Sequence, residues 1–135
     1  TWTLGNLNGY WRGWAQEARR GGPRLGMALP RRFAAWGALG APRLHYTLST
    51  GAIATKEDAG RYALEVFEPR WHPLIEDALA YWRGLPPSPA YRRLATRRRR
   101  DAAEFVASVI DTANGLVAAG AVELPNFTSA RPSGW

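Results

Sequence analysis

The chain has 135 residues, 46% of them hydrophobic, with no cysteine and a formal net charge of +7. This length suits one folded domain, and the apolar content excludes an intrinsically disordered chain. The missing cysteines exclude disulfides, thiolate metal sites and cysteine nucleophiles, while the positive charge favours an anionic partner.

The sequence contains no long apolar segment and no charged start that leads into an apolar stretch. We therefore expect no membrane association and a cytoplasmic location. The chain begins at Thr1 without a methionine, which suggests a processed chain or a piece of a longer protein.

Two N-terminal segments repeat apolar residues every three or four positions, as amphipathic helices do. The first runs from Leu7 to Arg20 and ends at Gly21-Gly22-Pro23, before a loop over residues 24–29. The second runs from about Arg31 to Ser49, and Pro42 within it predicts a kink or two consecutive pieces. The predicted buried stripes consist of Trp11, Trp14, Ala15 and Ala18, and of Phe33, Trp36, Leu39, Leu44 and Leu48.

The next two helices have clear start signals. Thr55 is a good N-cap for a helix that ends at Pro69, because Asp58 stands where a capping box places an acid. Pro73 suits the first turn of the following helix, which stops at Gly84. Their predicted buried faces consist of Ala59, Tyr62, Ala63, Val66 and Phe67, and of Leu74, Ile75, Ala78, Leu79 and Trp82.

A long final helix is predicted from Pro89 to Ala119, after a stiff proline-rich connector. Residues 121–135 contain proline and glycine and predict an extended tail. No segment has a convincing strand pattern. We therefore expect an all-α fold, a single bundle of about five helices formed by residues 1–135.

Catalytic motifs are missing from the sequence. It has no metalloprotease motif, no glycine-rich phosphate loop and no nucleophile elbow, and His45 and His72 are best explained by structural or surface roles. The acids pair as adjacent Glu57-Asp58 and Glu76-Asp77, whose side chains point to different helix faces. We expect no catalytic residue and no metal site in this chain.

Arg97 to Arg100 form the strongest run of charge. Consecutive residues of an α-helix are about 100° apart, so at least one of these arginines should lean toward the bundle or its end. The run is compatible with a solvated helix surface, a phosphate site, an RNA contact or a docking surface. It supports an alternative function as a stand-alone basic module that binds a partner or nucleic acid through Arg92 to Arg100. Few aromatic residues that could stack on bases lie near these arginines, so nucleic acid is the less favoured partner.

The most specific pattern in the chain is R-x-x-Y-[ST]-x-x-T-G-x-I-x-x-K-[DE], which includes the only lysine. It consists of Arg43, Tyr46, Thr47, Thr50, Gly51, Ile53, Lys56 and Glu57. With the sequence that follows it as far as Gly84, this pattern resembles the helical C-terminal domain of the aminoglycoside 3''-adenylyltransferases. Those enzymes inactivate streptomycin and spectinomycin.

The resemblance implies a two-domain enzyme that transfers AMP from ATP with Mg²⁺ to a hydroxyl of an antibiotic or related acceptor. An N-terminal nucleotidyltransferase domain would carry the metal carboxylates and the catalytic base, and the helical domain would close the cleft. Lys56 is then expected to contact the ATP phosphates. An aromatic residue, Trp82 or its neighbour Tyr81, would complete the nucleotide site. The chain alone is predicted to be inactive.

The resemblance also implies an aminoglycoside-like acceptor, but one position differs. Antibiotic-modifying relatives have an acid early in the second helix, where this chain has Arg31 and Arg32. Because burying a drug ammonium group beside arginines is costly, the sequence argues against ordinary aminoglycoside specificity.

Overall fold

A computed structural model describes residues 2–20, 31–91 and 95–120. These residues form helices and no strand, which confirms the all-α prediction. The α-helices are α1 (Trp2–Asn6), α2 (Arg12–Arg20), α3 (Arg31–Thr50), α4 (Lys56–Val66), α5 (His72–Trp82) and α6 (Ala95–Ala118). A π-helical turn (Leu7–Trp11) joins α1 to α2, and 3₁₀ turns lie at Pro69–Trp71 and Pro89–Tyr91. None of the helices in these ranges is long and apolar enough to cross a membrane.

The core forms where α3 and α6 pack together with α2 and α5. Helix α6 contributes a fully buried stripe, and α3 and α5 face it with aliphatic side chains. The largest fully buried apolar side chains are Phe105, Leu7, Leu39, Leu74, Ile75, Ile110, Val106 and Val109. This core holds α3 and α5 in place, and both helices contribute to the candidate site described below.

Helix α3 passes through Pro42 without a break, so the prediction of two consecutive pieces is wrong. Pro42 is buried, and α3 packs against α4, α5 and α6. This tertiary packing outweighs the lost hydrogen bond, which costs about 3 kcal/mol in a regular helix.

Glycines of α3 let two tryptophans approach its backbone. A Cβ atom added at Gly37 would lie 2.7 Å from Trp14 Cζ3, and one at Gly40 would lie 2.6 Å from Trp11 Cζ2. Side chains of ordinary size would force these rings away. The glycines therefore set the close packing of the N-terminal helical segment on α3.

Helix ends differ from the prediction in two places. The first helical segment begins at Trp2 rather than Leu7. Pro89–Tyr91 form a 3₁₀ turn rather than the first turn of the final α-helix, which is described from Ala95. The connector is tied down instead, because the Ser88 N–H donates to Asp77 Oδ1 at 2.8 Å. The predicted tail at 121–135, the loop at 24–29 and the helix stop at 21–23 lie outside the described residues.

Four side chains that were predicted to be buried are exposed. They are Phe33, Trp36, Val66 and Trp82, with exposed fractions of 37%, 44%, 47% and 51%. Three of the four are aromatic and line one open pocket. The helical period identifies apolar positions, but it does not distinguish a core from an aromatic pocket.

Candidate functional site

A pocket of about 650 Å³ opens where residues of the π-turn, α2, α3, α4 and α5 come together. Its volume is that of a small-molecule site, and six of its eleven lining residues are aromatic. The lining consists of Tyr10, Trp14, Glu17, Arg32, Phe33, Ala35, Trp36, Leu39, Lys56, Tyr81 and Trp82. All three predicted nucleotide-site residues, Lys56, Tyr81 and Trp82, are therefore among the residues that the fold gathers here.

The local structure places Lys56 at the first position of α4. Thr55 caps this helix, since its Oγ1 accepts a hydrogen bond from the Asp58 N–H at 3.0 Å, as the sequence predicted. The N-terminus of a helix carries partial positive charge and free N–H groups. Lys56 thus adds a full positive charge to a helix end that already favours anions.

The ammonium group of Lys56 lies between two indole rings. Its Nζ atom is 4.9 Å from the centroid of Trp36 and 4.6 Å from that of Trp82. Both distances are within the range of cation–π attraction. Within the described part of the chain, no side-chain hydrogen bond or ion pair of Lys56 occurs. The charge therefore lies against aromatic faces, and no carboxylate of the described residues neutralises it.

Trp36 is a site residue that sequence reasoning missed, because its spacing matched a core stripe. Its Nε1–H donates to the Tyr10 hydroxyl at 3.3 Å, and its ring lies 6.0 Å from that of Trp11. Tyr10 and Trp11 belong to the π-turn, a type of irregularity that often occurs at functional sites. No sequence signal separated Trp36 from the neighbouring core positions.

The motif residues before Lys56 build the turn that leads into α4. The Arg43 Nε–H donates to the Ala54 carbonyl at 2.7 Å, which fixes the approach of the loop to α3. Gly51 adopts φ of +76°, and Thr50 receives a hydrogen bond from the Ala52 N–H at 3.1 Å. Several polar residues of the motif therefore position Lys56 without lining the pocket themselves.

An ion pair joins the first turn of α4, next to Lys56, to the residue that follows α5. Arg83, directly after α5, donates its Nε–H to Glu57 Oε1 at 2.8 Å, and its second nitrogen contacts Glu57 Oε2. The hydrogen bond from Arg83, aided by Arg61, lowers the pKa of Glu57 to about 2. Glu57 is therefore a structural carboxylate that stays ionised at neutral pH.

Charges at the pocket are mixed. Arg32 and Lys56 contribute positive charge, and Glu17 is the one carboxylate among the residues that line the pocket. Arg31 is turned toward α5, where its Nε lies 3.7 Å from Asp77 Oδ1 and its guanidinium 5.6 Å from the Tyr81 ring centroid. Sequence analysis did not identify Glu17, because this residue lies in α2, far from the motif in the chain.

Both histidines have structural partners and neither lines the pocket. His45 Nδ1 lies 2.7 Å from the Tyr62 hydroxyl, and burial lowers the pKa of His45 to about 4. His72 Nε2 lies 3.0 Å from the Leu64 carbonyl, to which a ring N–H can donate. These contacts agree with the structural roles expected from the sequence.

The arginine run divides between the core and the surface. Arg98 is 6% exposed and donates to Asp77 Oδ2 at 3.0 Å, which confirms that one member leans into the bundle. Arg97 lies 3.7 Å from Asp101. Because Arg98 is buried and Arg97 pairs with Asp101 at the surface, the run offers fewer free charges for nucleic acid than the sequence suggested.

Comparisons with known proteins agree with the motif. Residues 38–112, more than half of the chain, match the family described as aminoglycoside adenylyltransferase, C-terminal domain. Searches of curated proteins and of solved structures found no match. The matched segment contains Lys56, Tyr81 and Trp82 and begins after Trp36. On this match, together with the all-α fold, the chain belongs to the aminoglycoside adenylyltransferase C-terminal domain family.

Proposed function

We propose that this helical domain closes the nucleotide cleft of a two-domain adenylyltransferase and binds the ATP phosphates through Lys56. One observation carries the proposal: the Lys56 ammonium faces a pocket of ligand size without a carboxylate partner in the described residues. An unneutralised ammonium at a helix N-terminus is suited to phosphate oxygens.

Trp82 and Tyr81 are proposed to form the aromatic wall of the nucleotide site. Trp82 borders Lys56 directly, while Tyr81 lines the same pocket and lies beside Arg31. An aromatic face can stack on adenine, and the neighbouring ammonium group would then meet the phosphates of the same nucleotide. Trp82 is the stronger candidate because it touches both the pocket and Lys56.

The proposed reaction is adenylyl transfer. An acceptor hydroxyl oxygen attacks the α-phosphorus of ATP, the bond to the β-phosphate oxygen breaks, and pyrophosphate leaves. The hydroxyl proton passes to a base of the N-terminal domain. Lys56 would offset negative charge on the phosphates as pyrophosphate departs.

Magnesium is proposed to be held outside the described residues of this domain. The described residues contain no group of three histidines or acids that could hold a metal ion. We therefore assign no step on this chain to Mg²⁺, which ATP and the N-terminal domain would bring. Transferase activity of this chain alone is accordingly not expected.

The acceptor is proposed to be a hydroxyl compound of the aminoglycoside-like class that offers one amino group to Glu17. Glu17 is the only acid among the lining residues, and Trp14, one helical turn before it, also lines the pocket. A carboxylate with an aromatic neighbour can hold one ammonium group. The two nearby cations would oppose a densely charged acceptor.

The test uses the protein that carries this domain together with its nucleotidyltransferase domain. Lys56→Ala should raise KM for MgATP at least about tenfold, because a charge-assisted contact to phosphate is lost. Lys56→Arg should retain part of the affinity. Arg19→Ala, which removes an exposed cation outside the pocket, is the matched control. Unchanged MgATP kinetics in Lys56→Ala would disprove the assignment of Lys56.

A further inference from the structure

We propose that Trp36, oriented by Tyr10, is a positioning residue that holds the Lys56 ammonium ready for phosphate. Its consequence for catalysis rests on the proposed function, whereas the contacts between Trp36, Tyr10 and Lys56 do not depend on that function. Both Trp36 and Tyr10 lie before residue 38, where the family match begins. The N-terminal helical segment thereby becomes part of the phosphate site.

The first step of the argument is the pair of rings around Lys56. A lysine side chain has a flexible four-carbon stem, and ordering it costs conformational entropy. The rings of Trp36 and Trp82, at 4.9 Å and 4.6 Å from Nζ, limit the positions that the ammonium group can take. The lysine is therefore ordered before a ligand arrives, which reduces the entropy cost of binding.

The second step concerns charge. A carboxylate would also hold Lys56 in place, but it would neutralise the ammonium group and compete with phosphate. Indole rings attract the cation through their quadrupole and carry no net charge. Holding Lys56 between two indoles therefore keeps its positive charge available for an anion.

The third step is the support of Trp36 itself. This side chain is 44% exposed, so burial in the core does not fix its rotamer. Instead, its Nε1–H donates to the Tyr10 hydroxyl at 3.3 Å, and Trp11 packs at a tilt beside it with ring centroids 6.0 Å apart. The π-turn thus supplies two contacts that orient the ring toward Lys56.

The experiment exploits the single lysine of the chain. Protein labelled with isotopic lysine gives one set of lysine resonances, and ring currents from two indoles should move the Lys56 ε-methylene signal upfield. Trp36→Leu should return this signal most of the way to its solvent-exposed position, while Trp36→Phe should keep part of the shift. Tyr10→Phe, a milder change that removes only the hydroxyl, should reduce the shift. Trp2→Leu, at a half-exposed tryptophan outside the pocket, is the control.

Binding is measured next, with inorganic tripolyphosphate as the probe and the Lys56 signal as the readout. Trp36→Leu should weaken binding about fivefold, the effect of losing one cation–π contact, and Trp36→Phe should recover part of it. In the two-domain enzyme the same variant should raise KM for MgATP by a similar factor and change kcat less. Unfolding of a variant would instead show as a loss of chemical-shift dispersion across its whole NMR spectrum.

The outcomes separate this inference from the proposed function. If Trp36→Leu leaves both the Lys56 resonance and tripolyphosphate binding unchanged, the positioning role is wrong even where Lys56→Ala raises KM. If Trp36→Leu removes the upfield shift while Lys56→Ala leaves MgATP kinetics unchanged, the indole pair is supported and the proposed function fails.

Discussion

Glu57 and Arg83 form a two-point ion pair that joins the first turn of α4 to the residue after α5. Their neighbours in the sequence are Lys56 and Trp82, and the Lys56 ammonium group contacts the Trp82 ring. The ion pair therefore ties together the chain segments that carry Lys56 and Trp82, although neither of its members lines the pocket.

Loss of this ion pair should affect the site more than the fold. Arg83→Gln should raise KM for MgATP about two- to fivefold, with little change in Tm, because exposed ion pairs contribute little to stability. Arg61→Gln is the matched control, since Arg61 also bonds Glu57, at 3.1 Å, but lies within α4. Equal effects of the two substitutions on KM would show that the link between α4 and α5 is unimportant.

Acidification should destabilise the domain through His45. Its pKa of about 4 in the folded chain lies below the ordinary value of 6.5, so the unfolded chain takes up the proton first. Neutral His45 therefore contributes fully to the free energy of unfolding above pH 6.5. This contribution, up to about 3 kcal/mol, is lost as the pH falls toward 4. Urea unfolding from pH 7 to pH 4 measures it. His45→Gln should show a shallower pH dependence, and an identical slope would contradict the prediction.

The buried pair of Asp77 and Arg98 should be sensitive to the loss of one partner. Asp77 is 1% exposed and accepts from Arg98 at 3.0 Å. Asp77→Ala should lower the free energy of unfolding by about 3–5 kcal/mol, because it leaves a buried charge unpaired. Adding Arg98→Met should restore part of the loss. Arg97→Met, at a more exposed position, should change stability little, and a loss as large as that of Asp77→Ala would contradict this account.

Two glycine substitutions should have opposite effects. Gly37→Ala places a Cβ atom against the Trp14 ring and should destabilise the fold by about 1–3 kcal/mol through overpacking. Gly13 lies in α2 with open space around it, so Gly13→Ala should stabilise the helix by about 0.5–1 kcal/mol. Thermal unfolding of both variants tests the pair. A neutral Gly37→Ala would mean that Trp14 moves aside freely.

Much of the local structure followed from short sequence signals. Thr55 caps the start of α4, because its hydroxyl accepts a hydrogen bond from a free backbone N–H of the first turn. The two residues are only three positions apart in the chain. Pro42 shows the limit of such reasoning. Its local cost was correctly recognised, but packing of α3 on its neighbours determined that the helix continues.

The lining of the pocket was predicted in part. Lys56, Tyr81 and Trp82 do line one pocket, whereas Trp36, Tyr10 and Glu17 were not identified. The spacing of Trp36 matched that of buried residues, and hydrophobic period contains no information about whether a neighbouring helix covers a given face. Glu17 was not identified because it lies in a segment without a recognisable motif.

The sequence by itself determined the helical elements, the cap that begins α4 and the position of the only lysine, because these depend on residues within one or two helical turns. The tertiary structure decided what surrounds that lysine. Close packing of Trp14 on Gly37 and Trp11 on Gly40, together with the pairing of Glu57 with Arg83, brings distant helices together around Lys56. Contacts between residues far apart in the chain depend on how whole helices pack, and no local pattern specifies that packing.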